Sequence, residues 1–233
     1  LGLPAPAFEL SVQDDAKLFD LEAVDNLQLP NKDLLELITK RRSIRRYSQE
    51  FLSKEELSYL LWCTQGVKEV LTYESKTGKR QTSLRTVPSA GSCHPFESYL
   101  VINRVQGFVP GLYRYISSKH KLCLIDDNPK IIDEVAEACL NQKLITESAI
   151  SFIWVADSYR SEWSYGERGF RYFLIDAGHI CQNLYLAASS IDAGVCAIGA
   201  FDEEKLNKAL KLEKEEIFAV YLASVGKPLK EGE

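Results

Sequence analysis

Residues 170–191 read FRYFLIDAGHICQNLYLAASSI, and their interpretation decides the fold. Apolar side chains recur at helical spacing and cover most of the circumference, with Gly194 placed as a stop. A helix apolar nearly all round belongs inside a protein, so the stretch predicts a central core helix. Downstream, Val195–Ala197 is a short apolar strand, Asp202 caps a helix through Leu210, and Ile217–Val225 is a buried strand ending at Gly226. Upstream, Ile150–Ala156 is almost continuously apolar, the mark of a strand covered on both faces. Pro129–Leu140 repeats Ile131, Ile132, Val135 and Ala138 as an amphipathic helix. Glu97–Asn103 predicts a strand, and Gly111–Ile116 with Lys121–Ile125 a hairpin.

Nearer the N-terminus, Ser53-Lys-Glu-Glu56 is a capping box that opens a helix stopping at Gly66. Asn31 precedes Leu34, Leu35, Leu37 and Ile38 as the cap of a helix running toward Arg41. Residues 72–86, rich in Lys, Arg, Ser and Thr, predict a loop. Residues 1–29 predict an arm wrapped over a single domain spanning 30–233. Strands interleave with helices, and local hairpins sit beside long crossovers, which defines an α+β body of mixed strand order.

Composition narrows the function. The chain has 233 residues, 45% hydrophobic and 26% charged, within the range of folded domains. No apolar run approaches a membrane span of roughly 18 residues. With 28 basic against 33 acidic residues the net charge is −5, which disfavours a nucleic-acid coat. The six cysteines form no C-x-x-C pair, and several have apolar neighbours, so free thiols and a reduced, cytoplasmic setting are expected. Three histidines without paired spacing argue against a metal site. The sequence contains no methionine, even at position 1, so the translational start is expected to lie outside it.

Four segments carry candidate chemistry. Arg41-Arg-Ser-Ile-Arg-Arg-Tyr47 concentrates guanidinium groups on an acidic protein. In an extended segment Arg41, Ser43 and Arg45 face one way and Arg42, Ile44 and Arg46 the other. Such a cluster suits either a phosphate or a solvated basic turn. Pro88-Ser-Ala-Gly-Ser-Cys-His-Pro95 is a run of small residues that a flat ligand can approach, or a tight connection. In it Ser89 and Ser92 offer hydroxyls, and Cys93-His94 lacks the orienting third group of a thiol hydrolase. Ala197-Ile-Gly-Ala-Phe201 leaves backbone N–H groups of Gly199 and Ala200 available. On the long helix, Asp176, His179 and Asn183, with Gln182 alongside, form a polar stripe read as a buried network at a subunit interface.

Taken in order, RRSIRRY, PSAGSCHPFESYLV, DAGHICQNLYLAA and AIGAFD resemble the nitroreductase family of FMN-dependent oxidoreductases, over about Asn31 to Pro228. The resemblance implies a three-layer sandwich, a mainly antiparallel sheet flanked by helices, in an intertwined homodimer with FMN at the interface. It also implies hydride transfer from NADH or NADPH through flavin N5 to a small organic acceptor, by ping-pong turnover and with no catalytic side chain required. Carried over, Arg41, Arg42, Ser43 and Arg45 hold the phosphate and ribityl chain. Pro88, Ser89, Ala90, Gly91 and Ser92 form the loop that a partner subunit lays along the ring. Ile198, Gly199 and Ala200 approach N5 and O4, and Lys227 neutralises the phosphate. Within the family the wording is similar to the SagB-type branch, which includes azoline dehydrogenases of modified peptides. Those enzymes carry Lys-Tyr before the long helix. Here Ser164-Tyr165 stands in its place, so the lysine base is missing while Tyr165 stays on the substrate side. The alternatives are a peptide-modifying dehydrogenase and a non-catalytic flavin-binding partner protein.

Overall fold

The computed structural model describes residues 3–30, 32–75 and 78–229. In chain order the strands are β1 (Leu18–Asp20), β2 (Val67–Ser75), β3 (Gly78–Arg85), β4 (Phe96–Ile102), β5 (Gly111–Ile116), β6 (Lys121–Asp126), β7 (Ile150–Asp157), β8 (Gly194–Ile198) and β9 (Ile217–Gly226). The helices are α1 (Leu34–Lys40), α2 (Lys54–Gln65), α3 (Lys130–Ala138), α4 (Leu144–Glu147), α5 (Ser158–Tyr165), α6 (Gly169–Ser190) and α7 (Glu203–Ala209). Seven strands form one sheet in the order β1-β6-β5-β4-β7-β9-β8. Every pair in it is antiparallel.

The apolar run of β7 is explained by the layers on either side. Phe152 and Trp154 join the core beneath α6, with Phe173, Ile180 and Leu184. Ile153 and Val155 face the other way, into a second core with Ile131 and Val135 of α3 and Leu206 of α7. Period-two alternation on a central strand thus places an apolar residue at nearly every position. Three layers result, as the α+β reading and the family resemblance imply.

Several expectations are corrected. Residues 72–86 are not a loop: β2 and β3 pair antiparallel as a separate two-stranded ribbon. Lys68, Glu69 and Glu74 face solvent while Arg85 is buried, and this charged composition hides the Val, Leu, Thr and Tyr residues that favour strand. The cap of α1 is Asp33, whose carboxylate accepts from the Glu36 N–H at 3.1 Å; Asn31 lies outside the described residues. The arm is partly sheet, since β1 pairs with β6. Helix α6 is not buried all round, because Phe170, Leu174 and Ile175 are 58%, 46% and 50% exposed. It also ends before Gly194, at a turn where Asp192 takes φ +55°. All six cysteines are free thiols. Among the described residues no helix is long and apolar enough to cross a membrane.

Candidate active site

Helix α1 ends at Arg41, whose backbone turns extended while its N–H still reaches the Leu37 carbonyl. The chain then runs beside the edge strand β8: Ser43 bridges Val195 in parallel, and the Ile44 N–H donates to the Val195 carbonyl at 2.8 Å. Gly194 permits this approach, because a Cβ there would sit 2.6 Å from the Cβ of Ile44. Tyr47 anchors the far end, its hydroxyl donating to the Ile44 carbonyl at 2.8 Å and lying 2.8 Å from the Ser224 hydroxyl.

Arg41 and Arg42 go to different places. The Arg41 guanidinium stacks 5.3 Å from the ring centroid of Tyr185, and the Ser43 hydroxyl lies 2.9 Å from the Tyr185 hydroxyl. That hydroxyl also accepts from the Ala197 N–H of β8 at 3.0 Å. Tyr185, which sequence reasoning missed, therefore ties the arginine segment to the strand leading into Ile198-Gly199-Ala200. The only signal for it was one hydroxyl in an otherwise apolar stretch of helix. Burial raises the Cys196 thiol, and the charge of Arg45 works against that rise. Arg42 turns away and lines a separate 350 Å³ depression with Ile44, Ser189 and Gly194. Among the described residues no carboxylate pairs with Arg41, Arg42 or Arg45. Gly199 and Ala200 are exposed just past β8, and the Ala200 carbonyl accepts from the Gln142 side chain at 2.9 Å.

Loop 88–95 sits elsewhere on α6. Asp176 is 4% exposed, and its carboxylate accepts from the Ser89 hydroxyl at 2.5 Å and the Ala90 N–H at 3.2 Å. Burial raises the Asp176 carboxyl, and these two donors oppose the rise. Ser89 also accepts from the His94 N–H at 2.9 Å, so its hydroxyl serves the loop itself rather than a ligand. From the ribbon, the Thr82 hydroxyl donates to the Ser92 carbonyl at 2.5 Å. Gly91 takes φ +55°, and any Cβ there would collide with the Tyr165 hydroxyl. Tyr165 and the loop are thus neighbours, with Tyr172 stacked 4.6 Å from Tyr165. The Ser164 hydroxyl lies 3.5 Å from the Cys93 sulfur.

Lys227 offers no free ammonium: Glu56 holds it at 2.5 Å and the Ile191 carbonyl at 2.7 Å. A carboxylate on α2 has taken the charge assigned to phosphate. Within one chain the polar stripe of α6 is divided among separate partners. Asp176 belongs to the loop, Asn183 donates to the Cys63 carbonyl at 3.0 Å, and His179 and Gln182 are exposed.

The two clusters occupy different sides of one helix. Asp176 and Tyr185 are nine residues apart, which is about 13 Å along the axis and half a turn in phase.

With the geometry in place, comparison with known proteins gives the class. The family model "Nitroreductase family" matches residues 38–227. The chain belongs to the nitroreductase family of oxidoreductases. It is 33% identical over 207 residues to "Putative nitroreductase MJ1384" of Methanocaldococcus jannaschii, covering 88% of this chain and 97% of that protein. It is 29% identical over 133 residues to "Trifolitoxin-processing protein TfxB" of Rhizobium leguminosarum bv. trifolii, spanning 55% of this chain but only 36% of that one. The crystal structure of "a putative nitroreductase" from Ralstonia eutropha JMP134 superposes with TM-score 0.72 at 22% identity, covering 98% of this chain and 96% of that one. Another, from Anabaena variabilis, has TM-score 0.73 at 25% identity and covers 95% of this chain but 45% of that one.

Proposed function

We propose that this chain is an FMN-dependent NAD(P)H oxidoreductase acting on a small organic acceptor, as a homodimer with the flavin at the interface. The observation that carries the reading is the cationic cradle built on Tyr185. Arg41 lies over the ring of Tyr185 and Ser43 meets its hydroxyl, and no described carboxylate neutralises the arginines. An unpaired guanidinium beside a fixed hydroxyl suits a phosphate oxygen. The donor set therefore fits FMN, with Arg41, Ser43 and Arg45 on the phosphate side and the exposed Gly199 and Ala200 toward the ring. Arg42 faces away, and Lys227 is left out.

The second copy follows from the phase of α6. Pro88–Ser92 and Tyr165 lie half a turn from Tyr185, so one ligand meets both sets only if the loop comes from a partner. Exposed Phe170, Leu174 and Ile175 supply apolar surface suited to such a partner. Bound FMN would supply hydride transfer between NAD(P)H and the acceptor. This chain's residues hold the phosphate, keep the 88–92 backbone fixed through Asp176 and Thr82, and present Tyr165 where an acceptor would lie.

A peptide-modifying dehydrogenase is the second reading, supported by the similarity to a trifolitoxin-processing protein. It needs a base beside Tyr165. The residue there is Ser164, a hydroxyl next to a thiol, so the reductase reading is preferred. An absorption spectrum of purified protein followed by anaerobic NADH or NADPH tests it. Flavin bands that bleach within seconds, and that are lost in Arg41→Ala/Arg45→Ala, are expected. Protein that takes up no FMN on reconstitution, or whose bound FMN does not bleach with either nucleotide, would overturn the reading.

A further inference from the structure

On the sheet face away from α6, the arm, β5, β6 and the turn after α7 enclose a cavity of about 620 Å³. Its floor is a cross-strand row: Tyr99 on β4 pairs with Arg114 on β5, and Arg114 pairs with Cys123 on β6. All three are buried, with Arg114 7% exposed. The guanidinium is only partly satisfied. Nη2 donates to the Ser11 carbonyl at 2.7 Å and the Leu10 carbonyl at 3.4 Å, while Nε is buried without any partner. Among the described residues no carboxylate pairs with Arg114.

A buried cation without a counter-ion is costly, and proteins usually pair it or neutralise it. Arginine keeps its proton at ordinary pH, and the two backbone carbonyls meet it through Nη2 alone, so an anion in the cavity would supply the counter-charge that the guanidinium lacks. The walls indicate the rest of that anion. Val12, Leu212 and Ile217 form an apolar patch in an otherwise largely polar lining, and the volume falls within the roughly 300–1,000 Å³ of small-molecule sites. Lys17 and Lys214 stand on the rim, opposed by Asp15 and Glu213, and the third lysine there, Lys211, is paired with Asp126 at 2.7 Å. The rim charges cancel, which leaves the floor guanidinium as the feature that selects a ligand.

We propose that this cavity is a second binding site, separate from the arginine cradle on β8, for a small organic carboxylate. Arg114 receives the carboxylate beside the Tyr99 hydroxyl, and the patch of Val12, Leu212 and Ile217 covers the hydrocarbon body. The site lies on the opposite face of the sheet from Tyr185, so its ligand does not compete with flavin. Because residues 10–17 form one wall, an occupied site also fastens the N-terminal arm to β5 and β6.

Calorimetric titration of the flavin-loaded protein with benzoate, and with the uncharged isostere benzamide, tests the assignment. Benzoate is expected to bind at least about tenfold more tightly than benzamide, the margin of a charge-assisted hydrogen bond. Arg114→Gln should abolish that preference. Since Arg114 also holds the arm, Val12→Trp provides an independent variant that fills the cavity and leaves the guanidinium in place. It should lose benzoate binding while the flavin spectrum is unchanged. Equal affinity for benzoate and benzamide overturns the proposal, as does benzoate binding that persists undiminished in Val12→Trp.

Discussion

Gly194 shows how a single missing Cβ fixes the candidate site. The arginine segment reaches β8 only because nothing projects from position 194 toward Ile44, and the same contact sets where Ser43 meets Tyr185. Gly194→Ala introduces an atom 2.6 Å from the Ile44 Cβ, a clash that must move one backbone or the other. Overpacking of this kind costs about 1–3 kcal/mol, and here the displaced segment carries Arg41 and Ser43. Gly194→Ala is therefore expected to lower the melting temperature and the flavin-to-protein ratio together. Adding Ile44→Gly removes the obstructing side chain and should return flavin retention toward wild type. If Gly194→Ala keeps full flavin at an unchanged melting temperature, the segment does not depend on this approach. The sequence marked Gly194 as a helix stop; its role in packing against Ile44 depends on a contact 150 residues distant and has no local signature.

At the scale of elements, legibility followed the burial of each face. β7, β9 and the helices around them were readable because apolar periodicity records which side faces a core. The capping box of α2 was readable because Ser53 and Glu56 satisfy each other's backbone N–H groups at 3.0 and 2.8 Å, using only residues close in sequence. The β2–β3 ribbon was not, since most of its side chains face water and no apolar face marks it as strand. Its position matters to the site nonetheless, because Thr82 ties it to the Ser92 carbonyl and Arg80 stacks 4.8 Å from the Trp163 ring. Thr82→Val keeps the shape and removes the donor. Expected is a loss of about 1 kcal/mol in denaturant unfolding, with faster proteolytic nicking within 86–92. Unchanged stability and nicking would mean that the ribbon does not brace the loop.

Over the whole molecule, neutral histidine buried beside fixed positive charge makes stability depend on pH. His94 is 6% exposed, between the ribbon and α5, with Arg85 and Arg160 close by. Burial and then the charge of Arg85 push its imidazole down to about 3 from an ordinary 6.5, against a hydrogen bond to the Ser83 backbone that works the other way. Burial also lowers His120, which lies between the Ser58 and Tyr115 hydroxyls at 2.8 and 2.7 Å. A folded-state value below the unfolded one means that the unfolded chain binds the proton first. The stabilisation is thus fully present above pH 6.5 and is lost as pH falls from there toward 3. Between pH 7.5 and pH 5 the His94 contribution alone should fall by roughly 2 kcal/mol. The raised carboxyls of Asp157 and Asp176 act in the opposite sense, so the comparison must isolate the histidine. His94→Asn does this, since asparagine tolerates the φ of +43° at this position. Urea unfolding of both proteins at the two pH values should show the variant losing about 2 kcal/mol less than wild type. Equal losses would mean that His94 is not the buried neutral base on which the acid sensitivity rests.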